Sequence, residues 1–459
     1  MPTHPAHGND SRLSFWRRVR EYAVPPSMIE TATARRLTGD WAGACAAANV
    51  EVDFRLRDVA RVHGRELADL VRADLRCLAP ELLRWHLPRS APDGLLRPGL
   101  TVPLARYPGA PPVVLVVRTP PAWAEYGQRV GLALWDGSEG DGRSPHPHPR
   151  PSRRFRFDLH RHLWDAGRST ELAVRAGAGT PPTGSPSAVL GDPTLRCAVD
   201  RWAAEAELLR RADGLPAGPV VVRLGRRRRL LLGPDGTTAE ASGGTSGLPL
   251  LPDAATWVPP DVDLLRGGAV EADRLHPLVA AALAPGHGPD RSAWTGDARP
   301  AERTVDCRGA RHRIGLVDGV LAPLDHDPAE LRREELLAAL SGTPLPCLRA
   351  IDRAHRSPNQ LAGVRERLDH GDTAGALAVV EALLGPEAVL REGPLRDELA
   401  AAAERRIAYG LYRAGLTGPE LVNYPLPTVR SSSRPADAAF RPRPRHPSFR
   451  ARPRLASHG

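Results

Sequence analysis

Residues 101–118 read TVPLARYPGAPPVVLVVR, and this stretch decides the fold class. Its two ends, 101–107 and 113–118, are short runs rich in apolar and β-branched residues, which is typical of β-strands. The Pro-Gly-Ala-Pro-Pro between them is typical of a connection between two strands. Similar runs follow at 129–135 and 154–159, so the sequence predicts a β-rich region that begins near residue 98.

Helical patterns precede this region. Residues 27–37, 41–48 and 56–63 fit short helices, and Gly39 and Asp40 fit the end of one helix and the cap of the next. In 65–78 apolar residues recur at helical spacing; they are Leu67, Leu70, Val71, Leu75 and Leu78. We therefore expect a helical unit over 27–90, preceded by a flexible arm over 1–26.

The rest of the chain divides into three further parts. Residues 98–326 are predicted to form a β-rich α+β region with long Pro/Gly loops, which ends in a three-stranded meander over 303–326. Residues 327–420 predict a helical bundle, and 424–459 a disordered Arg/Pro-rich tail. The sequence thus predicts an α+β fold, with N-terminal and C-terminal helical units around a β-rich middle and a disordered C-terminal tail.

One short pattern occurs twice. RLTGDWAGA at 36–44 is echoed by RLDHGDTAGA at 367–376. Each resembles the turn of a tetratricopeptide-type helical hairpin, although a stacked array needs more consecutive repeats than these two. Two ordinary helix–Gly–Asp–helix turns are the simpler interpretation. The chain as a whole is similar to uncharacterised proteins of GC-rich actinobacteria, a resemblance that implies no activity, cofactor or catalytic residue.

The composition excludes several enzyme classes. All 63 basic residues are arginine, because the sequence contains no lysine. A P-loop, a Schiff-base enzyme, a protein kinase and a Ser–Lys dyad each need a lysine, and arginine does not replace it because it stays protonated. No common catalytic or nucleotide-binding motif is found, so no cofactor is expected.

Positive charge is concentrated at the end of the chain. After residue 423 there are eight arginines and one acidic residue, which give +7 of the net charge of +10. We expect the tail to attract anionic surfaces or nucleic acid through six closely spaced arginines; they are Arg441, Arg443, Arg445, Arg450, Arg452 and Arg454. A solvated tail without a partner is the alternative.

Cysteine usage and hydropathy bear on location. The five cysteines are scattered and odd in number, which predicts reduced thiols in a cytoplasmic protein. The most apolar runs are only strand-length, so no membrane span is expected. The polar N-terminus does not fit a signal peptide.

The strongest candidate for a catalytic site lies in the meander. Asp318-Gly319 predicts a two-residue hairpin turn, which would place His312 opposite Asp325. A turn at 308–311 would place Cys307 opposite His312. The resulting row, Cys307–His312–Asp325, is either a thiol relay or metal site, or a buried cysteine beside an ordinary His–Asp pair.

A second candidate is a pair of histidines. His160 and His162 have the i, i+2 spacing of two metal ligands on one strand face, without a third ligand that the sequence identifies. The leading hypothesis is a non-catalytic scaffold or adaptor that binds protein partners, with the tail adding electrostatic attraction. The alternatives are an enzyme that uses the Cys307 row and a nucleic-acid-associated protein that acts through its tail.

Overall fold

The computed structural model describes residues 6–109, 111–137, 146–177, 196–225, 228–241, 244–286, 303–307, 310–317, 320–323, 363–384 and 394–416, with the single residues 327, 329, 332, 333 and 346. The predicted α+β class is confirmed, since helices flank a β-containing middle. The region predicted to be a disordered tail lies outside the described residues. Within these ranges, no helix has the length and apolarity needed to cross a membrane.

The main sheet has four strands, β1 Val50–Val52, β2 Thr101–Tyr107, β3 Val113–Arg118 and β4 Val130–Trp135, in the order β1-β4-β3-β2. β1 runs parallel to β4, and the other neighbours are antiparallel. Five of the six residues of β3 are buried, with Val113, Leu115 and Val117 in the main core and Val114 and Val116 in a small cluster with Ala133. Burial of both faces explains the unbroken apolar run of this strand. β1 was not predicted, since three residues carry little periodic signal.

Six helices precede β2: α1 Ala6–Tyr22, α2 Pro26–Leu37, α3 Trp41–Ala47, α4 Leu56–His63, α5 Arg65–Cys77 and α6 Pro80–His86. The flexible arm predicted over 1–26 is wrong, because α1 occupies most of it. Val19 of α1 is fully buried, and Arg20 pairs with Asp261 far along the chain. The sequence did not predict α1 because the segment is rich in polar residues and is followed by Pro25-Pro26. The stability of this helix comes from tertiary packing rather than local propensity.

The strand predicted over 154–159 is also wrong. This segment is irregular, and backbone bonds such as Leu159 N–H to Arg156 O turn it back on itself. Phe155 and Phe157 are buried in the main core without pairing to another strand. The alternating apolar pattern of the sequence belongs here to a turn in which residues 155–157 are all buried, and not to the face of a sheet. The short helix α7 Glu171–Arg175 follows.

A second hydrophobic core lies between residues 196 and 258. It is formed by α8 Val199–Ala212, α9 Asp253–Thr256 and a sheet of β5 Val220–Arg223, β6 Arg229–Leu232 and β7 Thr238–Glu240. The predicted hairpin of β5 and β6 is present, and β7 adds a third antiparallel strand. Trp202 of α8 is fully buried at the centre of this core.

Two short helices return the chain to the main core: α10 Pro260–Arg266 and α11 Pro277–Leu283. The meander follows, with β8 Arg303–Cys307, β9 Ala310–Val317 and β10 Val320–Pro323. The last described helices are α12 Val364–Asp369, α13 Thr373–Leu384 and α14 Pro394–Arg413. Most of the segment between β10 and α12 lies outside the described residues.

Candidate functional site

The backbone register of the meander corrects the predicted Cys307 row. β9 and β10 pair as the Asp318-Gly319 turn predicts, with Val317 opposite Val320. In the other hairpin, however, Cys307 pairs with Ala310 and His312 pairs with Val305. The chain reverses over two residues instead of four, so Cys307 and His312 are not opposite each other. Asp325 lies outside the described residues.

His160 and His162 are both buried and lie side by side, with ring centroids 5.8 Å apart. Nδ1 of His160 is 2.9 Å from Arg156 O, and its Nε2 is 3.2 Å from Glu205 Oε2. Arg175 also binds Glu205 through two nitrogens, at 2.6 and 2.7 Å. Burial would raise the pKa of Glu205, but contacts with His160 and Arg175 outweigh it and lower the pKa to about 2.

Burial lowers the pKa of His162, and the neighbouring His160 lowers it further. A metal needs additional ligands, and nowhere in the described ranges do three or more His, Cys, Asp or Glu side chains converge on a common point. The visible role of this pair is to connect the irregular 154–165 segment to α8 through Glu205. The six candidate tail arginines lie outside the described residues.

The repeated sequence pattern corresponds to a repeated structure. Asp40 caps α3 by accepting from Gly43 N–H at 2.8 Å, and Asp372 caps α13 by accepting from Gly375 N–H at 2.9 Å. A Cβ added to Gly43 would lie 2.1 Å from the oxygen of its capping aspartate, and one added to Gly375 would lie 2.2 Å from its own. In both caps the glycine lets the aspartate side chain lie directly over the first turn, and a Cβ there would displace the carboxylate.

An arginine five residues before each aspartate completes the match. Arg35 Nη1 lies 3.2 Å from Asp40, and Arg367 Nη1 lies 2.8 Å from Asp372. The structural equivalent of Arg367 is thus Arg35 and not Arg36, since the two turns align without a gap. The glycine before each aspartate has a left-handed backbone, with φ of +79° at Gly39 and +84° at Gly371.

One concave feature of the structure is an open groove of about 400 Å³. One wall comes from the start of α2, with Ser27 and Thr31, and the opposite wall from the start of α13, with Thr373. Arg129, just before β4, and Arg406 of α14 also line it. The groove therefore lies between a hairpin near the start of the described chain and one near its end.

Two glycines form the floor of this groove. Gly127 and Gly371 lie so close that a Cβ added to Gly371 would be 2.1 Å from Gly127 O. No side chain fits at position 371 without separating the two segments. The α12–α13 hairpin thus rests directly on the loop before β4.

Beneath this floor, Gln128 joins three segments of chain. It is buried and has a positive φ of 53°, which is unusual for a residue other than glycine. Its backbone oxygen accepts from Arg84, and its Oε1 accepts from Leu96 N–H. Glu125 accepts from the Gln128 side-chain amide at 2.7 Å, which holds the amide in place.

Arg84 is fully buried on α6, yet its Nε and Nη2 have no hydrogen-bond partner in the structure. The same holds for Nε of Arg89 and for Nδ1 of the buried His370. Burial, together with nearby Arg129, lowers the pKa of Arg84 to about 10, and burial with Arg89, Arg84 and Arg18 lowers that of His370 to about 3. These groups form a buried basic cluster of Arg84, Arg89 and His370 below the groove.

A smaller pocket of about 100 Å³ lies where α14 packs against the end of the main sheet. Tyr409 donates to Glu51 at 2.9 Å, and Arg413 pairs with both Glu51 and Asp53. The acidic groups here are neutralised by α14 itself. This pocket accordingly has the chemistry of a helix attachment and not of a catalytic site.

Sequence reasoning missed both the groove and the basic cluster. The Gly371-Asp372 copy of the repeated turn lines the groove, whereas the Gly39-Asp40 copy does not, so the repeat itself did not mark the site. The sequence also gives no signal for Arg84, since arginines at exposed positions of helices have the same local pattern. No protein-family model, curated protein or solved structure matches the chain.

Proposed function

We propose that this chain is a non-catalytic scaffold or adaptor that binds an extended segment of a partner protein in the groove between α2 and α13. The single observation that supports this most is the open cleft of about 400 Å³ between the start of α2 and the Gly371-Asp372 turn that begins α13. Its volume falls within the range of about 300–1,000 Å³ typical of ligand sites. An open cleft suits a segment of chain better than an enclosed small molecule.

The charge of the groove indicates the chemistry of the partner. Arg406 at the rim is exposed and makes no ion pair with another described residue. Arg129 already pairs with Glu51 at 3.1 Å, and Asp372 is held by Arg367 and by its own helix cap. The available charge is thus positive, which favours a partner segment with an acidic side chain.

The location of the protein and the role of its tail complete the proposal. We place the chain in the cytoplasm, which is consistent with the free thiols of Cys45 and Cys77. The Arg/Pro-rich segment after residue 423 would add a second, salt-sensitive attraction to an anionic partner.

Affinity capture with matched charge-reversal variants tests this proposal. Arg406→Glu places an acidic group at the groove rim, whereas Arg57→Glu makes the same change at an exposed site on α4, away from the groove. From a lysate of the organism that encodes the chain, we expect wild type and Arg57→Glu to retain the same partner. We expect Arg406→Glu to lose at least about 80% of the captured partner, because a charge pair at the rim contributes roughly 1 kcal/mol to binding.

A partner retained equally by all three proteins would contradict the groove as its binding site. If deletion of the residues after 423 removed the partner while Arg406→Glu did not, the tail alone would carry the interaction. Circular dichroism of each variant shows whether its fold is intact.

A further inference from the structure

We propose that the buried basic cluster of Arg84, Arg89 and His370 is a binding site for a phosphate-type oxyanion. This goes beyond the scaffold function, because it places a small anion inside the fold, below the groove floor. The anion would be bound by the guanidinium nitrogens of Arg84 on α6 and of Arg89 in the following loop. The imidazole of His370, directly after α12, would bind it as well. Nothing in the proposal depends on a partner protein.

The two arginines converge on Gln128. Arg84 donates from Nη1 to the backbone oxygen of Gln128, and Arg89 Nη1 lies 3.5 Å from the Oε1 of the same residue. Arg89 also donates from Nη2 to Arg84 O at 2.8 Å. Two cationic groups are therefore held around one buried glutamine by their own hydrogen bonds.

His370 completes the cluster from the other side. Its turn is pressed against the Gln128 loop through the Gly127–Gly371 contact, and its ring lies parallel to that of Tyr22, with centroids 6.5 Å apart. His370 is 2% exposed, and its Nδ1 has no partner in the structure. The imidazole thus presents an unpartnered Nδ1, which donates to an anion in the tautomer that carries its proton there.

Arg84 and Arg89 also lack compensating negative charge. Three other enclosed guanidinium groups, in contrast, bind carboxylates: Arg20 binds Asp261 through two nitrogens, Arg156 binds Asp158 and Asp213, and Arg175 binds Glu205. Arg84 and Arg89 form no ion pair with any residue that the structure describes.

A buried guanidinium with unsatisfied nitrogens is costly, and two close together repel each other. Glu125 is the carboxylate that acts on Arg84, but it is occupied by the amide of Gln128. The unsatisfied donors belong to three side chains. A tetrahedral oxyanion, with up to four oxygens and more than one negative charge, satisfies donors that approach from different directions better than a planar carboxylate does.

The thermal stability of the full chain tests the proposal. In chloride buffer made phosphate-free, we expect the Tm of wild type to rise with the logarithm of added inorganic phosphate at constant ionic strength. Binding to the folded state alone produces this logarithmic dependence. General salt exclusion instead raises Tm in proportion to concentration and only at high concentration.

Substitutions then localise the effect. Arg84→Met and Arg89→Met each remove one buried cation and should lose the Tm response to phosphate. Arg57→Met is the matched control, since it removes an exposed cation of α4, and it should keep the wild-type response. An equal response in all four proteins would overturn the proposal.

A second measurement covers the case in which Arg84→Met does not fold. Wild type is dialysed exhaustively, denatured with acid, and the released phosphate is counted per chain and identified by mass spectrometry. About one inorganic phosphate, or one phosphorylated metabolite, supports the site and distinguishes the two sources. Neither released, together with no shift of Tm on adding phosphate, overturns it.

Discussion

At the scale of single residues, several titratable side chains are buried in the main core. Several histidines are enclosed by the main core, and burial holds their pKa values below the ordinary range. The pKa of His86 falls to about 4 and that of His370 to about 3, and that of His276 is also well below its usual value. Although part of His86 reaches the surface, its ring nitrogens are enclosed, and Nδ1 lies 3.1 Å from both Leu82 O and Leu163 O.

This burial predicts loss of stability in acid. In the unfolded chain a histidine binds a proton below a pH of about 6.5, whereas folded His86 does so only near a pH of about 4. The contribution of His86 is therefore complete above the higher value and is lost as the pH falls towards the lower one. Each unit of pKa difference corresponds to about 1.4 kcal/mol.

Urea unfolding of wild type and His86→Gln at several pH values between neutral and about 5 checks this prediction, since most carboxylates stay ionised over that window. We expect the free energy of unfolding to fall less steeply with decreasing pH in the variant, by one proton. Parallel curves for the two proteins would mean that His86 is accessible to protons in the folded state.

Residue patterns in the sequence predicted the caps but not the burial of charge. Asp40 and Gly39 were identified correctly because capping is decided by neighbours within a few residues. Arg84 and Arg20 could not be distinguished in advance from surface arginines, because their environments are formed by segments distant in sequence. Candidate ligand residues such as His160 were predicted from spacing alone, and the structure shows them bound to backbone and carboxylate groups.

At the scale of elements, the contact between the α12–α13 turn and the Gln128 loop fixes the position of the C-terminal hairpin. Gly371 and Gly39 offer a matched comparison, because both have a φ near +80° and each precedes a capping aspartate. A Cβ at Gly39 would meet nothing within 4 Å, whereas one at Gly371 would lie 2.1 Å from Gly127 O.

Alanine substitution at the two glycines should thus have different effects. Gly39→Ala introduces only backbone strain, for which we expect a loss of about 1 kcal/mol. Gly371→Ala adds a steric clash and should release the hairpin, which hydrogen exchange would detect as faster amide exchange over 363–384. Equal effects of the two substitutions on exchange would show that the contact at Gly127 is not tight in solution.

Elements with strong local signals were predicted with nearly correct bounds. β2 and β3 coincide with their predicted ranges, because periodicity and turn residues mark both ends. The Cys307–His312 register was wrong because a two-residue reversal competes with a four-residue one, and sequence alone does not choose between them. β1 depends on parallel pairing with β4, a contact made nearly 80 residues away that leaves no local pattern.

At the scale of the whole molecule, an ion pair joins the first described helix to a late one. Arg20 of α1 donates to Asp261 of α10 at 2.7 and 2.8 Å and to Trp85 O at 2.7 Å. Its guanidinium also lies 4.4 Å from the centre of the Trp85 ring. Both charged side chains are almost completely buried. The arrangement ties α1, α6 and α10 together.

Removing one partner should destabilise the whole fold. Arg20→Met leaves the Asp261 carboxylate buried without its cation, for which we expect a loss of about 3–5 kcal/mol in the free energy of unfolding. The double substitution Arg20→Met with Asp261→Asn removes the stranded charge and should recover part of that loss. Chemical denaturation of wild type, of each single variant and of the double variant measures it. Additive losses in the double variant would show that the two residues act independently.

The charge partition between the folded body and the tail stays a prediction, because the tail lies outside the described residues. Long-range organisation was the part least accessible from sequence. The sequence predicted a flexible arm where α1 lies, because no residue near Arg20 in the sequence indicates that its partner is Asp261.

The separation of Arg20 and Asp261 also sets an order of events during synthesis. The two residues are 241 positions apart, so α1 leaves the ribosome long before its partner is made. At about 5–20 residues per second, this delay is roughly 10–50 s. During that interval the nascent chain holds an unpaired guanidinium and an uncovered apolar helix face, and its N-terminal region reaches the native arrangement only once more than half of the polypeptide has been translated.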